Sequence, residues 1–186
     1  SVPSQSDLVA VSFPSAQKGW AVGHGGVVLH SADAGATWVR QLDGVKAAEL
    51  AVSHYQASSA PEAAALLERE KNLQAGGGTQ PFLDVYFESE STGFVVGTFN
   101  RIFRTEDGGK SWTPWMERTD NPGELHFYSI RGRNGSLYLT GEQGTVWRLD
   151  TATQRIVLQR HPVRPGGYQH RRGARLRHAR QPVSQR

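Results

Sequence analysis

The fold is decided by two related stretches, LVAVSFPSAQKGWAVGHGGVVLHSADAGATW at residues 8–38 and FLDVYFESESTGFVVGTFNRIFRTEDGGKSW at residues 82–112. At an offset of 74 residues and without gaps, 9 of the 31 positions are identical. The identical pairs are Val11/Val85, Phe13/Phe87, Ser15/Ser89, Gly19/Gly93, Val22/Val96, Gly23/Gly97, Asp33/Asp107, Gly35/Gly109 and Trp38/Trp112. A third, weaker copy, FYSIRGRNGSLYLTGEQGTVWRLD, follows at residues 127–150. The chain is therefore built from internal repeats.

Each copy has the hydrophobic pattern of short strands. Apolar residues alternate at Val9, Val11 and Phe13 and at the matching positions of the second copy, as in a half-buried strand. Short apolar runs closed by glycine follow, and Asn134-Gly135 in the third copy is a strong hairpin signal. Repeated antiparallel units of this kind are typical of propeller blades. The sequence predicts an all-β fold, a partial β-propeller with two clear blades plus part of a third.

A helical insertion interrupts the repeats. We expect the propeller over residues 1–154, with blades at about 8–42, 82–118 and 125–154 and the insertion at about 44–76. Within it, residues 59–62 resemble a capping box, residues 62–73 are strong helix formers, and three glycines end the run. A further helix is expected over residues 47–57. The insertion is either a surface decoration or an arm that docks a partner, and the sequence leaves both open.

The net charge of +4 hides an uneven distribution. Residues 1–154 hold all 17 acidic and 12 of the 21 basic residues, a charge of −5, whereas residues 155–186 hold nine arginines and no acid, a charge of +9. The high pI therefore reflects the C-terminal segment, which we expect to be disordered. Two origins stay open for this segment, a frame shift in the coding sequence and a genuine basic arm. Specific nucleic-acid binding is not expected, because Tyr168 is its only aromatic residue for base stacking.

A shared turn motif, S/T-x-D-x-G-x-x-W, closes the first two copies. Its residues are Ser31, Asp33, Gly35 and Trp38 in the first copy and Thr105, Asp107, Gly109 and Trp112 in the second. The hydroxyl and the carboxylate can bond turn amides, glycine can take the positive-φ position, and tryptophan can pack on neighbouring strands. The motif is similar to the Asp-box, or BNR repeat. We expect both tryptophans to be buried and both aspartates to be structural rather than catalytic or metal-binding.

The wider pattern resembles the photosystem II stability/assembly factor-like family of BNR propellers. The phrases GWAVGHGGVVLHSADAGATW, GFVVGTFNRIFRTEDGGKSW and LYLTGEQGTVWRLD carry this resemblance, which covers residues 8–154. It implies a closed, often seven-bladed ring with a non-enzymatic role as a chaperone or scaffold for membrane complexes. It also implies an exported, periplasmic protein whose partner is a membrane transporter or another membrane complex. Many bacterial members of the family are unrelated to photosynthesis.

The alternative function is that of a remnant of a sialidase-like, glycan-acting Asp-box enzyme. Such enzymes need an arginine cluster and paired acidic groups from several blades. Here Arg101-Ile-Phe103 lacks the proline of the sialidase arginine motif, and Arg101 and Arg104 are expected to be solvated charges on one strand face. The absence of cysteine excludes disulfides and thiolate metal sites, and the seven histidines show no metal-ligand spacing. We therefore predict no catalytic, cofactor-binding or metal site.

The two ends of the repeat array raise the question of what covers them. A blade buries both faces against its neighbours, as in other repeat architectures. Three blades leave two faces open, and apolar faces of that size are rare on soluble monomers. We therefore expect self-association or a protein partner at these faces.

Overall fold

The computed structural model describes residues 2–159 as three four-stranded antiparallel sheets and two helices. Blade 1 contains β1 (Leu8–Ser12), β2 (Gly19–Gly23), β3 (Val28–Ser31) and β4 (Val39–Leu42). Blade 2 contains β5 (Phe82–Phe87), β6 (Gly93–Gly97), β7 (Ile102–Thr105) and β8 (Thr113–Pro114). Blade 3 contains β9 (Phe127–Arg133), β10 (Ser136–Gly141), β11 (Val146–Asp150) and β12 (Arg155–Leu158). In each blade the strands pair in chain order, which is the meander of a propeller blade.

The blades stand side by side along their first strands. Strand β5 packs against β1 on one side and β9 on the other. One apolar core runs through both junctions and includes Trp20 from blade 1, Phe87 from blade 2 and Ile130 from blade 3. The partial β-propeller predicted from the repeats is therefore confirmed.

The third blade is more complete than the repeat pattern suggested. Arg155–Leu158 forms β12, which pairs with β11 from Trp147 to Asp150. The predicted boundary at residue 154 therefore falls one strand short. The signal was weak because Leu149-Asp-Thr-Ala-Thr-Gln154 lacks the glycine and tryptophan of an Asp-box, while a four-residue turn suffices to start the last strand. The expectation of disorder for the basic segment falls, beyond this strand, on residues outside those described.

The insertion forms two packed helices, α1 (Gly44–Ala57) and α2 (Ala63–Ala75). Asp43 caps α1 by accepting a hydrogen bond from the Lys46 amide at 3.0 Å. The proposed capping box at residues 59–62 is wrong, because Glu62 precedes α2 without a side-chain cap. The helical pair rests on the propeller through an apolar contact surface that includes Ala47, Ala51 and Leu66.

Candidate functional site

The two Asp-boxes form matching turns. The Gly35 amide donates to Ser31 Oγ at 2.8 Å, and the Gly109 amide donates to Thr105 Oγ1 at the same distance. Asp33 accepts from the amide and hydroxyl of Thr37 at 2.8 and 2.6 Å. Each hydroxyl also donates to the aspartate two residues later. These bonds satisfy the amides of a turn that has no ladder partners.

The conformation of the turn explains the glycine of the motif. Gly35 has φ of 87° and Gly109 has φ of 80°, in the region that a side chain occupies only under strain. The hydrogen bonds from Thr37 and Ser31 lower the pKa of Asp33 to about 2. For Asp107, burial raises the pKa, but the bonds from Ser111 and Thr105 outweigh it and the net shift is downward. Both aspartates are therefore charged acceptors at neutral pH.

The two box tryptophans differ in burial. Trp112 is buried and meets the Phe87 ring edge-on at 6.1 Å. Trp38 meets Phe13 in the same way at 6.0 Å but is only partly buried. The expectation that both are buried is wrong for Trp38, because that side of blade 1 has no neighbouring blade among residues 2–159.

The first blade junction is closed by aromatic stacking. The Trp20 indole of blade 1 lies on the Phe87 ring of blade 2, with centroids 3.6 Å apart and 10° between the ring planes. Gln41 extends this contact, because it accepts from the indole N–H at 3.0 Å and donates to Gly108 O at 2.8 Å. The Phe87 amide donates to Ser12 Oγ at 3.1 Å. A small residue on blade 1 thus lies opposite a large one on blade 2.

The second junction reverses this size pattern and leaves a cleft. Tyr86 stands at the position of Ser12, and Gly132 of blade 3 stands at the position of Phe87. The Tyr86 phenol contacts Gly132 but does not replace the stacked pair. A cavity of about 600 Å³ remains between blades 2 and 3.

The cleft combines aromatic rings with guanidinium groups. The Arg104 guanidinium lies 4.9 Å from the Trp115 ring centroid and 5.8 Å from that of Phe94. Arg104 also pairs with Glu106 at 2.8 Å, while its buried Nε has no hydrogen-bond partner among residues 2–159. Arg133 and Glu88 also line the cleft, whereas Arg118 lies over Trp115 at 5.1 Å and outside the lining of the cleft. This arrangement suits a chain segment that offers both apolar and acidic groups.

Arg101 does not belong to that surface. Its side chain is 1% exposed and lies 3.4 Å from Glu70 on α2, which is fully buried. Burial lowers the pKa of the Arg101 guanidinium, and the charge of Glu70 opposes that shift. The expectation that Arg101 and Arg104 are solvated charges on one strand face is therefore wrong. Arg101 precedes β7 and anchors the helical pair, whereas Arg104 lies within the strand and borders the cleft.

Two features are absent from residues 2–159. No group of three or more histidine, aspartate and glutamate side chains is placed there to hold a metal ion. Neither described helix is long and apolar enough to cross a membrane.

Three antiparallel four-stranded blades with Asp-box turns define a β-propeller of the BNR type. Residues 69–159 match the family described as photosynthesis system II assembly factor YCF48. The chain is 25% identical over 182 residues to the photosystem II assembly lipoprotein Ycf48 of Synechococcus sp. (strain CC9902), covering 91% of this chain and 44% of the relative. Residues 69–159 thus match the photosystem II assembly factor-like family of BNR propellers, and the chain is similar to a member of it over most of its length.

Two solved structures share the fold. One is described as YCF48 bound to D1 peptide, with a TM-score of 0.59 and 20% identity over 84% of this chain and 42% of that one. The other is YCF48 from Cyanidioschyzon merolae, with a TM-score of 0.53 and 23% identity over 84% of this chain and 40% of that one. The chain thus spans less than half the length of these relatives.

Proposed function

We propose that this chain is a non-enzymatic propeller scaffold that binds a protein partner and helps to assemble or stabilise a membrane protein complex. The cleft between blades 2 and 3 carries the proposal, because its rings and guanidinium groups suit a peptide segment. The similar structure described as YCF48 bound to D1 peptide supports a peptide as the ligand class. A membrane transporter and a photosynthetic complex both fit this description of the partner.

The same reasoning extends to the location of the protein. The Synechococcus relative is named a lipoprotein, which supports export and work at a membrane surface. We propose a periplasmic or otherwise exported location on this basis. Fractionation of cells that carry the tagged full-length gene product tests it, and recovery in the cytosolic fraction would contradict it.

The glycan-acting alternative is disfavoured by the position of Arg101. A substrate carboxylate cannot reach a guanidinium that is 1% exposed and lies against Glu70 beneath α2. We expect no hydrolysis of a fluorogenic sialoside by the purified chain. Turnover above that of a heat-inactivated sample would restore the enzyme hypothesis.

Peptide binding to the cleft is tested by fluorescence anisotropy with a labelled D1 peptide. Arg104→Met and Trp115→Leu should each weaken binding roughly tenfold, since buried aromatic and arginine contacts dominate binding energies. Arg40→Met is the matched control, because Arg40 is exposed on blade 1 and outside the cleft. Equal affinities for the wild type and Arg104→Met would exclude this cleft as the binding site.

A second measurement covers a partner other than D1. A photo-crosslinking residue in place of Asn134, on the rim of the cleft, should capture subunits of one membrane complex in intact cells. The same residue in place of Val45, exposed on α1, serves as the control position. Failure to capture any membrane protein from the Asn134 position would contradict the scaffold function.

A further inference from the structure

A second cavity, the acidic pocket, lies between helix α2 and the connection from blade 2 to blade 3. It has a volume of about 360 Å³ and shares no lining residue with the cleft described above. Four carboxylates line it, those of Glu62, Glu117, Asp120 and Glu124, and the only cationic group in its lining is the guanidinium of Arg155. The lining side chains therefore carry a net charge of −3 at neutral pH.

Two of the four carboxylates are already used by the fold. Glu117 accepts a tyrosine hydroxyl of α1 at 2.8 Å, and Glu124 pairs with an arginine of α2 at 2.8 Å. Glu62 and Asp120 are exposed, and their carboxylates have no hydrogen bond or ion pair within the described part of the chain. The Arg155 guanidinium can offset one of these two charges, which leaves the other for a cation from outside the pocket.

A buried amide donor borders the same pocket. Asn100 lines it and is only 4% exposed. The Asn100 Oδ1 atom accepts from Thr119 Oγ1 at 2.8 Å and from Asn121 Nδ2 at 3.0 Å. The orientation of Asn121 is fixed in turn, because the Leu125 amide donates to its Oδ1 at 3.1 Å. The Nδ2 group of Asn100 is therefore left without a partner among residues 2–159, although buried donors are normally bonded, and it is available to a ligand in the pocket.

The inner part of the pocket is apolar. Leu66 of α2 and Met116 of the connection line it and are 8% and 2% exposed. Lysine and arginine side chains bury their aliphatic stems along apolar surface while the charged group stays in polar surroundings. An apolar interior with exposed carboxylates at its rim therefore fits a side chain of this type.

We infer that the acidic pocket binds a lysine or arginine side chain of a protein partner. The charged group lies at Glu62 and Asp120, and its aliphatic stem packs on Leu66 and Met116. Asn100 Nδ2 donates to a backbone carbonyl of the same segment. This inference goes beyond the peptide cleft proposed above, because the pocket has a separate lining and selects a segment of the opposite charge.

Three observations favour a basic protein segment over other cations. Residues 1–159 contain 13 basic and 17 acidic side chains, a net charge of −4 that attracts a basic segment at long range. Within residues 2–159, no group of three or more histidine, aspartate and glutamate side chains is placed to hold a metal ion. The free N–H of Asn100 needs an acceptor beside the cation, and each residue of a peptide backbone provides one.

The test is fluorescence anisotropy of the full chain with a labelled glycine–serine peptide that carries one central lysine. This peptide should bind, and the same peptide with norleucine in place of lysine should not. The double variant Glu62→Gln with Asp120→Asn removes both unpaired charges and keeps the side-chain shapes. It should weaken binding roughly five- to tenfold, since each exposed ion pair contributes modestly. Both residues are exposed, so the variant should fold like the wild type.

The matched control is Glu68→Gln, which removes an exposed carboxylate of α2 outside the pocket and should bind like the wild type. Equal weakening by Glu68→Gln would show that only general charge attraction is at work and would overturn the inference. Arg104→Met, in the cleft, should leave binding of the lysine peptide unchanged. Loss of binding in that variant would place the peptide in the cleft instead, and absence of binding up to roughly millimolar concentration, the range of the weakest specific contacts, would also overturn the inference.

Zero-length crosslinking locates the bound lysine. A carbodiimide joins the lysine amine of the peptide to a carboxylate in contact with it, and mass spectrometry should find the product at Glu62 or Asp120. Residues 160–186 contain neither lysine nor an acidic side chain, so their side chains do not contribute to this reaction. Products at other carboxylates alone would overturn the inference.

Discussion

Trp20 and Phe87, which lie 67 positions apart in the chain, stack with their ring centroids 3.6 Å apart and join blade 1 to blade 2. Both side chains are buried, at 0% and 3% exposure. The stack lies between two sheets whose strands do not pair with each other. The stability of the blade array is therefore expected to depend on this pair.

Replacing Trp20 with alanine should lower the free energy of unfolding by about 3–5 kcal/mol, as for other large buried aromatics. A double-mutant cycle with Phe87→Ala should give a coupling energy of about 0.5–1.5 kcal/mol, the range for aromatic pairs beyond their buried area. Urea denaturation of the four proteins measures both quantities. Strictly additive effects would show that the stack contributes only through burial.

The two Asp-box tryptophans should contribute differently to the free energy of unfolding. Trp112→Ala should cost about 3–5 kcal/mol because the indole is buried against Phe87. Trp38→Ala should cost only about 1–2 kcal/mol, since its ring already contacts solvent. Thermal unfolding of both variants checks the order, and equal losses would indicate that Trp38 is covered in solution.

The Asp33 carboxylate gives the fold a defined acid sensitivity. Its pKa is lowered to about 2 by bonds from Thr37 and Ser31, and the unfolded chain has the ordinary value of about 4. A group with a depressed folded-state pKa stabilises above the unfolded value, and that stabilisation is lost as the pH falls towards 2. Between pH 4 and 2, Asp33→Asn should therefore lose less stability than the wild type. Parallel acid titrations of the two proteins, followed by circular dichroism, measure this difference. Equal losses of stability in Asp33→Asn and the wild type would refute the prediction.

The sequence predicted the parts of the fold that depend on local pattern. The alternation of Val9 and Val11 and the turn chemistry of Asp33 and Asp107 act within a few residues. They define strands and turns whatever lies beside them. The class of fold was therefore accessible, and so were the two helices, whose residues favour helix on their own.

The sequence did not predict what depends on contacts between elements. Arg101 seemed solvated because the carboxylate that neutralises it is Glu70, which lies 31 positions earlier on α2. The cleft was not predicted because it depends on which residues of blades 2 and 3 lie opposite each other. Gly132 has the position in blade 3 that Phe87 has in blade 2, so no large ring lies opposite Phe94. This comparison needs the strand register of blade 3. The weak Asp-box of that blade hid this register in the repeat alignment.

The buried pair of Glu70 and Arg101 leads to a prediction about the helical insertion. The two side chains are 0% and 1% exposed, and they join α2 to blade 2. Glu70→Gln leaves the arginine charge buried without its partner, which typically costs about 3–5 kcal/mol. Replacing both residues, as in Glu70→Met with Arg101→Met, removes the two buried charges together, while Arg69, which also contacts Glu70, keeps its ion pair with Glu124. The double replacement should therefore be nearly neutral or stabilising, as in other buried ion pairs. Hydrogen exchange of the α1 and α2 amides separates loss of docking from global unfolding, and Glu68→Gln, an exposed change on the same helix, is the control. If the double replacement were as destabilising as the single one, the pair would be needed for more than charge compensation.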